Sequence, residues 1–244
     1  MSMRFASFNF HPSQKHNKNS ENGRKENYIK IEPKKIYKTL IISEKKDKKK
    51  KTAKKRYGGL ILWVDGEFVE ETNEKYLEIM GFESKRSDSS RLSRDVQRKV
   101  IRMLLEGKNI DELSSYIRGI LSNLEKGMFD YEYIGIPRGL SKNLNNYKVD
   151  NPHRRGAFYS NKYLGASFGL GDKPKLIYIS STSTYPKTDV IAFQYNEDIP
   201  KDFVMDINLM KEKIIFQKIE HILDSSNISL DEILYNKTKL EDYF

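Results

Sequence analysis

The spacing of apolar residues changes near residue 88, and this change limits the fold more than any other feature of the sequence. Before it, apolar residues form short runs such as Gly58–Val64, which have the length of a β-strand. After it, Leu92, Val96 and Val100 recur every four residues, the spacing of one face of an α-helix. We therefore expect an α+β fold in which strands come first and helices follow.

Short apolar runs bounded by Gly, Pro, Asn or Asp predict the strands. We expect them at 28–43 (two short strands around Pro33), 58–64, 68–69, 76–80, 131–136, 175–180 and 190–195. Asp65-Gly66 has the sequence of a tight turn, so the strands on either side of it should form a hairpin.

Capping residues and glycines mark the predicted helices. Ser89 or Ser90 can cap the first helix, which Gly107 ends, and Asn109 can cap the second, which Gly127 ends. Further helices are expected at 140–147, 155–164, 206–223 and from a cap at residue 229 to about 234. The helix at 206–223 should be the longest of them.

The basic excess of the chain lies in its first quarter. The whole sequence has 44 Lys and Arg against 34 Asp and Glu, a net charge of +10. Residues 1–57 carry a net charge of +13 and the remainder −3, and Lys45–Arg56 alone holds nine basic residues and one acid. A polyanion is the expected partner of such a stretch, while a solvated loop is the alternative explanation.

Composition excludes several classes of protein. The chain has no cysteine, which excludes a disulfide scaffold, a thiol nucleophile and Cys-ligated zinc. It contains no apolar run of membrane-spanning length and no secretory signal at its start. We expect a cytoplasmic protein without a membrane partner, and the sequence offers no catalytic set of residues and no metal site.

Three short motifs stand out. The first motif is Lys54-Lys55-Arg56-Tyr57, directly before a predicted strand. The second motif occupies 81–88, a charged junction between a strand and a capped helix. The third motif occupies 147–157, where basic residues stand just before a predicted helix N-terminus, a position that favours a phosphate. The residues that carry the second and third motifs are Gly81, Glu83, Arg86, Asp88, Tyr147, Pro152, His153, Arg154 and Arg155.

In order and spacing, these motifs resemble the C-terminal part of family B (replicative) DNA polymerases. That family has Lys-Lys-x-Tyr at the edge of the palm, then Gly-x-Glu-x-x-Arg-x-Asp, then a helical thumb with a Tyr…Pro-His segment. The resemblance covers about residues 28–244 and implies palm-edge β-strands followed by a mostly helical thumb with a small β insertion. It further implies a division into a flexible segment (1–27), a palm edge with a Lys-rich loop (28–87), a thumb (88–235) and a tail (236–244).

The resemblance also implies DNA-binding roles. Lys54 and Lys55 would reach the minor groove, where every Watson–Crick pair presents an acceptor, and Tyr57 would orient their strand. Arg56, Arg86 and Tyr147 are included in the DNA-binding set. His153, Arg154 and Arg155 would hold phosphates of the new duplex. For Arg86 a salt bridge that fixes the thumb through Glu83 or Asp88, and for His153 a capping or buried role, remain open.

The catalytic Tyr-x-Asp-Thr-Asp motif of the family is missing from this sequence. The chain therefore resembles the small subunit of the split family B polymerases of some archaea. That resemblance implies a large catalytic subunit and primer–template duplex DNA as partners. Mg²⁺ and dNTP are expected on the large subunit, with no cofactor in this chain, which alone should be inactive.

The last eight residues resemble a tail that binds the sliding clamp. Leu240, Tyr243 and Phe244 lie at i, i+3 and i+4, so one helical turn places all three on one side as a plug for an apolar groove. Lys237 stands where the pattern usually has Gln. A tail folded back on the core is the alternative.

Two other functions are compatible with the sequence. One is an independent basic nucleic-acid-binding module without a polymerase partner, which would need its own closed core around residues 28–64. The other is a scaffold whose lysine run is only solubilising, which predicts no salt-dependent DNA binding.

Overall fold

The computed structural model describes residues 34–42 and 56–235, which belong to one compact unit. They form two antiparallel sheets and several helices, so the α+β class is confirmed. The strands of the first sheet are β1 (Lys35–Ile42), β2 (Tyr57–Val64), β3 (Glu67–Phe68) and β4 (Leu77–Met80). The strands of the second sheet are β5 (Ile136–Pro137), β6 (Lys175–Ser181), β7 (Val190–Phe193) and β8 (Val204–Met205).

The helices fill most of the remaining chain. They are α1 (Arg91–Leu105), α2 (Ile110–Glu125), α3 (Tyr131–Ile134), α4 (Pro152–Tyr163), α5 (Ile207–Lys211), α6 (Gln217–Asp224) and α7 (Leu230–Tyr235). A wider π-helical turn, Glu212–Phe216, connects α5 to α6, so the predicted helix at 206–223 is confirmed as one continuous element. No helix in these described ranges is long and apolar enough to cross a membrane.

The first sheet is built around β2. β1 pairs with one edge of β2, while β3 and β4 pair with the other. The turn after β2 has positive φ at both central residues, 48° at Asp65 and 101° at Gly66. This is the twist that a two-residue hairpin requires, so the predicted hairpin is confirmed. Of the two strands predicted around Pro33, the second matches β1 and the first lies outside the described residues.

The caps of α1 and α2 follow the sequence signals. Ser90 accepts a hydrogen bond from the Ser93 backbone and begins α1. Asn109 and Glu112 form a reciprocal capping box at the start of α2. Gly107 and Gly127 end the two helices at φ values of 72° and 66°, a conformation that glycine adopts without steric cost.

The strand predicted at 131–136 is wrong, because Tyr131–Ile134 is a helical turn and only Ile136–Pro137 is extended. Two contacts explain the difference. Ile134 N–H donates to the Asp130 carbonyl, and Glu132 N–H donates to the Asn196 side chain. The hydrogen bond from Glu132 to the distant Asn196 side chain outweighs the strand propensity of the Tyr and Ile residues.

Two predicted helices also need correction. The segment 140–147 has only one helical turn, Leu144–Asn146, because Leu140 makes ladder-like backbone hydrogen bonds with Asp172 and Gly171. The helix predicted at 155–164 begins earlier, at Pro152, where Asn151 caps it and proline suits the first position. The basic residues of the third motif therefore lie in the first turn of α4 rather than before it.

The interface between α1 and the α5–α6 helix is polar as well as apolar. Ser93 Oγ donates to the Ile214 carbonyl and Gln97 Nε2 to the Lys218 carbonyl, each at 2.7 Å. Both donors are buried, at 2% and 3% exposure, in an otherwise apolar core. A π-helical turn departs from the regular helical ladder. Ser93 gives one carbonyl of this turn a partner, and Gln97 does the same for a carbonyl at the start of α6.

The loop between β6 and β7 is tied to Asp202. Asp202 Oδ2 accepts hydrogen bonds from the Ser183 and Thr184 backbone at 3.1 and 2.8 Å and from the Thr182 hydroxyl at 3.1 Å. The Thr184 hydrogen bond is the main reason that the pKa of Asp202 falls to about 2. This loop leads into residues that line a cavity next to α4.

We expect Asp202→Asn to lower stability at pH 7 and to matter less in acid. A carboxylate with a depressed folded-state pKa stabilises the fold above its unfolded pKa, and this contribution is lost as the pH falls through about 4 toward 2. Urea unfolding of both proteins at pH 7 and pH 3 measures the effect. Glu197→Gln removes an exposed carboxylate that makes no side-chain hydrogen bond within the described residues, and it should show no such convergence.

Candidate nucleic-acid interface

The described half of the first motif lies in the middle of the first sheet. Tyr57 begins β2 and stands opposite Ile42 of β1 and Met80 of β4. Arg56 and Tyr57 are both half-buried. Lys54 and Lys55 lie outside the described residues, so their predicted contact with DNA stays a prediction.

Tyr37 contacts the Tyr57 ring, and the Glu78 carboxylate holds Tyr37 in place. The Tyr37 ring meets the Tyr57 ring edge to face, with 6.2 Å between centroids. Tyr37 fits across β2 because Gly59 has no side chain, and a Cβ there would lie 2.5 Å from the Tyr37 ring. The Tyr37 hydroxyl donates to Glu78, whose other oxygen is 2.7 Å from Lys35 Nζ.

The charge state of Glu78 follows from these contacts. Burial favours the neutral acid, but the hydrogen bonds from Lys35 and Tyr37 outweigh it and hold the pKa of Glu78 below its usual value. Burial and the same hydrogen bond raise the pKa of Tyr37. Tyr37 therefore stays a donor and Glu78 an anion at neutral pH. The sequence motifs include neither residue, because only the strand register brings them to Tyr57.

The second motif connects the start of α1 to the start of α6. Gly81 adopts φ 74°, which turns the chain out of β4. Glu83 then forms an ion pair with Lys218 of α6 and accepts a hydrogen bond from Ser89 Oγ at 3.3 Å. Burial opposes ionisation of Glu83, but the Lys218 hydrogen bond keeps its pKa below the usual value. Glu83 is therefore a structural anion.

Arg86 is held by Asp88, which is one of the two partners left open above. The guanidinium donates Nε–H to Oδ1 at 3.0 Å and Nη2–H to Oδ2 at 2.8 Å. Arg138 approaches the same carboxylate, with Nη1 3.5 Å from Oδ2. Partial burial works against ionisation of Asp88, but the two arginines outweigh it and lower its pKa, with Arg86 the larger influence.

The third motif begins with two rings in contact. The Tyr147 and His153 rings meet edge to face at 5.4 Å, and the Tyr147 hydroxyl accepts a hydrogen bond from the Ser141 backbone at 2.9 Å. Burial of His153, and to a smaller extent Arg138, lowers the pKa of the imidazole. His153 is thus neutral at pH 7, so it can donate one hydrogen bond but does not add a positive charge.

Arg154 and Arg155 are already paired with carboxylates. Arg155 donates Nε–H to Asp189 at 3.1 Å, and a second nitrogen contacts the other Asp189 oxygen at 2.5 Å. Its third nitrogen is 3.4 Å from Asp150. Arg154 contacts Asp150 at 3.0 Å and the Leu144 carbonyl at 3.1 Å. Both arginines are about one-third exposed, so a phosphate would share them with these acids.

Arg138 connects the second motif to the third. It pairs with Asp88, and it is close enough to His153 to add to the lowering of the imidazole pKa that burial causes. Lys173 adds a second cation beside this junction through a 2.7 Å hydrogen bond to Ser87. No motif in the sequence indicated that Arg138 or Lys173 belongs to the candidate interface. No hydrogen bond or ion pair within 34–42 and 56–235 joins the first motif to the other two.

The exposed face of α1 is strongly basic. Arg91, Arg94 and Arg98 follow one another at spacings of three and four residues, and they make no side-chain hydrogen bond or ion pair with another described residue. Arg102, one turn further on, pairs with Glu106 at 2.6 Å. These arginines lie outside the three motifs. Their regular spacing, on the side of α1 opposite its apolar face, is nevertheless visible in the sequence.

Several predicted sites fall outside these observations. Lys237, Leu240, Tyr243 and Phe244 of the predicted clamp-binding tail lie beyond the described residues. In the part of the chain that the structure describes, no group of three or more His, Asp or Glu side chains is placed to hold a metal ion. The expectation that Mg²⁺ and dNTP bind to another chain stays a prediction.

Comparisons with known proteins give one family model and two relatives. A family model described as DNA polymerase family B matches residues 13–237. DNA polymerase 2 of Aeropyrum pernix is 31% identical over 119 residues, which cover 49% of this chain and 12% of that protein. A DNA polymerase of Archaeoglobus fulgidus is 31% identical over 104 residues, covering 43% of this chain and 12% of that protein. The matched segment thus spans about an eighth of each of these curated relatives.

Proposed function

Because the chain belongs to DNA polymerase family B, we propose that it supplies the palm edge and thumb of a DNA polymerase and grips the primer–template duplex. The observation that carries this proposal is the family match over residues 13–237, which includes all three motifs. The cationic junction at Arg138, where the second and third motifs meet, supports it. Phosphates are the anions that such a surface would meet on a duplex.

The first and third motifs have distinct parts in this proposal. Lys54 and Lys55 contact acceptors in the minor groove, which every base pair presents, so they sense pair geometry without reading sequence. Tyr57, supported by Tyr37, holds the strand that carries them. Arg154 and Arg155 share their guanidinium groups between phosphates and nearby carboxylates, which gives a grip that can be exchanged as the duplex moves.

The catalytic aspartates come from residues outside this sequence in our proposal. The Tyr-x-Asp-Thr-Asp motif is absent from the chain, so a large subunit supplies it together with Mg²⁺ and dNTP. The first sheet offers a surface for that subunit. Within the described residues β1 pairs only with β2, and Leu40, Ile42 and Met80 are 47%, 64% and 41% exposed. A free strand edge beside apolar side chains is suited to sheet pairing.

The tail at 237–244 recruits a sliding clamp in the same proposal. Its three apolar residues have the spacing of a plug for an apolar groove, and clamp binding would keep the enzyme on DNA. A test is direct: a peptide of residues 233–244 should bind the clamp, and the same peptide with Tyr243→Ala and Phe244→Ala should not.

Duplex binding at several salt concentrations tests the gripping role. If about six phosphates are neutralised, log K should fall with log salt at a slope of magnitude about 5. We expect Arg138→Gln to reduce that slope by about 1 and to weaken binding equally for duplexes of different sequence. Fluorescence anisotropy on two unrelated blunt duplexes measures both quantities.

Lys126→Gln is the matched control for Arg138→Gln. It removes the same charge from the end of α2, outside the three motifs, where the side chain is exposed. A slope that changes equally in the two variants would show that only net charge matters, and it would contradict a duplex contact at Arg138. A slope near zero for the unmodified chain would favour the scaffold.

A further inference from the structure

A cavity of about 430 Å³ opens beside the third motif, between α4 on one side and β6 with the loop that leads to β7 on the other. Its volume lies in the range of small-ligand sites, roughly 300 to 1,000 Å³. The aromatic residues Phe158, Tyr159 and Tyr163 of α4 line it, as do Arg154, Arg155 and Lys187. None of the roles proposed above uses the aromatic residues or Lys187.

Two of the rings stand beside a cation. The Arg154 guanidinium lies 5.7 Å from the centre of the Phe158 ring, and Lys162 Nζ lies 5.0 Å from the centre of the Tyr163 ring. Phe158 and Tyr163 are 44% and 36% exposed, so each ring has surface free for a ligand. Arg154, Phe158 and Tyr163 line the cavity, whereas Lys162 does not. A ligand that combines a flat aromatic face with a negative charge would match the two rings and the Arg154 guanidinium.

The charges of the lining residues limit the size of the anion. Arg154, Arg155 and Lys187 bring three positive charges, and Asp150 and Asp189 bring two negative ones. The two carboxylates are ion-paired with the arginines, which leaves a single net positive charge. One phosphodiester carries one negative charge, whereas a free nucleoside triphosphate would need more cations than the cavity provides.

The aromatic side chains favour an unpaired nucleotide over a duplex. A base can stack on a protein ring only when one of its faces is uncovered, and in the interior of a duplex both faces are covered by neighbouring base pairs. A cavity of this volume also admits one nucleotide rather than a double helix. Phosphates of a duplex can reach the rim of the cavity, but they would leave the rings without a partner.

We propose that this cavity binds one unpaired nucleotide of single-stranded DNA, with its base on the Phe158 and Tyr163 rings and its phosphate at Arg154 and Lys187. The inference rests on the proposed function, because a polymerase meets single-stranded template next to the duplex it holds. It adds a second kind of contact to the same protein, one that depends on ring stacking as well as on charge.

Binding of two DNA substrates to the full chain tests the inference. One is a blunt duplex, and the other is the same duplex with a single-stranded 5′ overhang. Stacking on an aromatic side chain stabilises a bound base by about 1–3 kcal/mol, which corresponds to a fivefold or larger change in affinity. We therefore expect Phe158→Leu and Tyr163→Leu to weaken overhang binding about fivefold or more and to leave blunt-duplex affinity within about twofold.

Phe68→Leu is the matched control, since it removes an 80% exposed ring from β3. It should change neither affinity, and urea midpoints of all variants show whether the fold is kept. Loss of the overhang advantage in both α4 variants supports the inference. An overhang that adds no affinity in the unmodified chain, or an advantage that both variants retain, overturns it.

Two further outcomes separate this inference from the proposed function. Equal losses for blunt and overhang DNA would place the rings on the duplex, which overturns the inference but agrees with the gripping role. Failure to bind either DNA overturns the inference, and primer extension by the chain mixed with a catalytic fragment then decides the fate of the proposed function independently.

Discussion

Phe193→Ala is expected to destabilise the protein by about 3–5 kcal/mol, more than any substitution at the candidate interface. Phe193 is fully buried at the end of β7, and its ring fills the space next to Gly135, where a Cβ would lie 2.6 Å from its tip. Truncation removes this contact and leaves a cavity among residues that are themselves buried. Since a domain is stable by roughly 5–15 kcal/mol, much of the folding free energy would be lost.

Urea unfolding followed by circular dichroism measures the effect of Phe193→Ala. Phe68→Ala removes the same side chain from a position that is 80% exposed, and we expect it to change stability by no more than about 0.5 kcal/mol. Similar losses in the two variants would contradict the assignment of Phe193 to the core.

Gly156→Val is expected to cost about 1–3 kcal/mol and to weaken duplex binding at the same time. Gly156 lies where α4 touches β7, and a Cβ there would stand 3.1 Å from the Ile191 carbonyl carbon and 3.2 Å from Ala192 N. These are backbone atoms, so the helix itself must move. One turn later, Ser160 Oγ accepts a hydrogen bond from Ala192 N at 3.0 Å, which a shifted α4 would lose.

The loss of DNA affinity would follow from the place of α4 in the proposed interface. The first turn of this helix carries Arg154 and Arg155, and its displacement would separate Arg155 from Asp189 of the adjoining loop. Gly119→Val is the control, because Gly119 lies in the middle of α2 with open space around it. That substitution should leave both stability and DNA binding essentially unchanged, since valine is no worse than glycine in a helix.

Local signals in the sequence predicted the elements that local interactions form. Ser90 and Asn109 cap α1 and α2 through contacts within four residues, and Asp65-Gly66 forms its turn through its own backbone preference. Such signals can be read without knowing the fold. The second motif was likewise located correctly, between β4 and the capped start of α1.

The errors lie where distant parts of the chain decide the structure. Tyr131–Ile134 is helical because Asn196 holds it, and no helix begins at Leu140 because its backbone bonds to Gly171 and Asp172. For the same reason no local pattern marked Arg138 or Glu78 as parts of the candidate site. Each becomes important only through a neighbour about 40 or more residues away in the sequence, such as Asp88 or Lys35.

The interface also differs from the sequence-based expectation in its charge. The sequence predicts that His153, Arg154 and Arg155 hold phosphates, and it leaves a capping or buried role for His153 open. In the structure the pKa of His153 is lowered, so the imidazole is neutral at pH 7, and both arginines are shared with carboxylates. The described residues carry further positive charge at Arg138, at Lys173 and on the exposed face of α1.

Primer extension tests the central claim most directly. The chain is assayed alone and mixed with a family B polymerase fragment of the same organism that carries the Tyr-x-Asp-Thr-Asp motif. We predict no synthesis by the chain alone, robust synthesis by the mixture, and loss of synthesis with Lys54→Ala and Lys55→Ala but not with Lys45→Ala and Lys46→Ala. Absence of any stimulation in the mixture, while duplex binding is intact, would contradict the account.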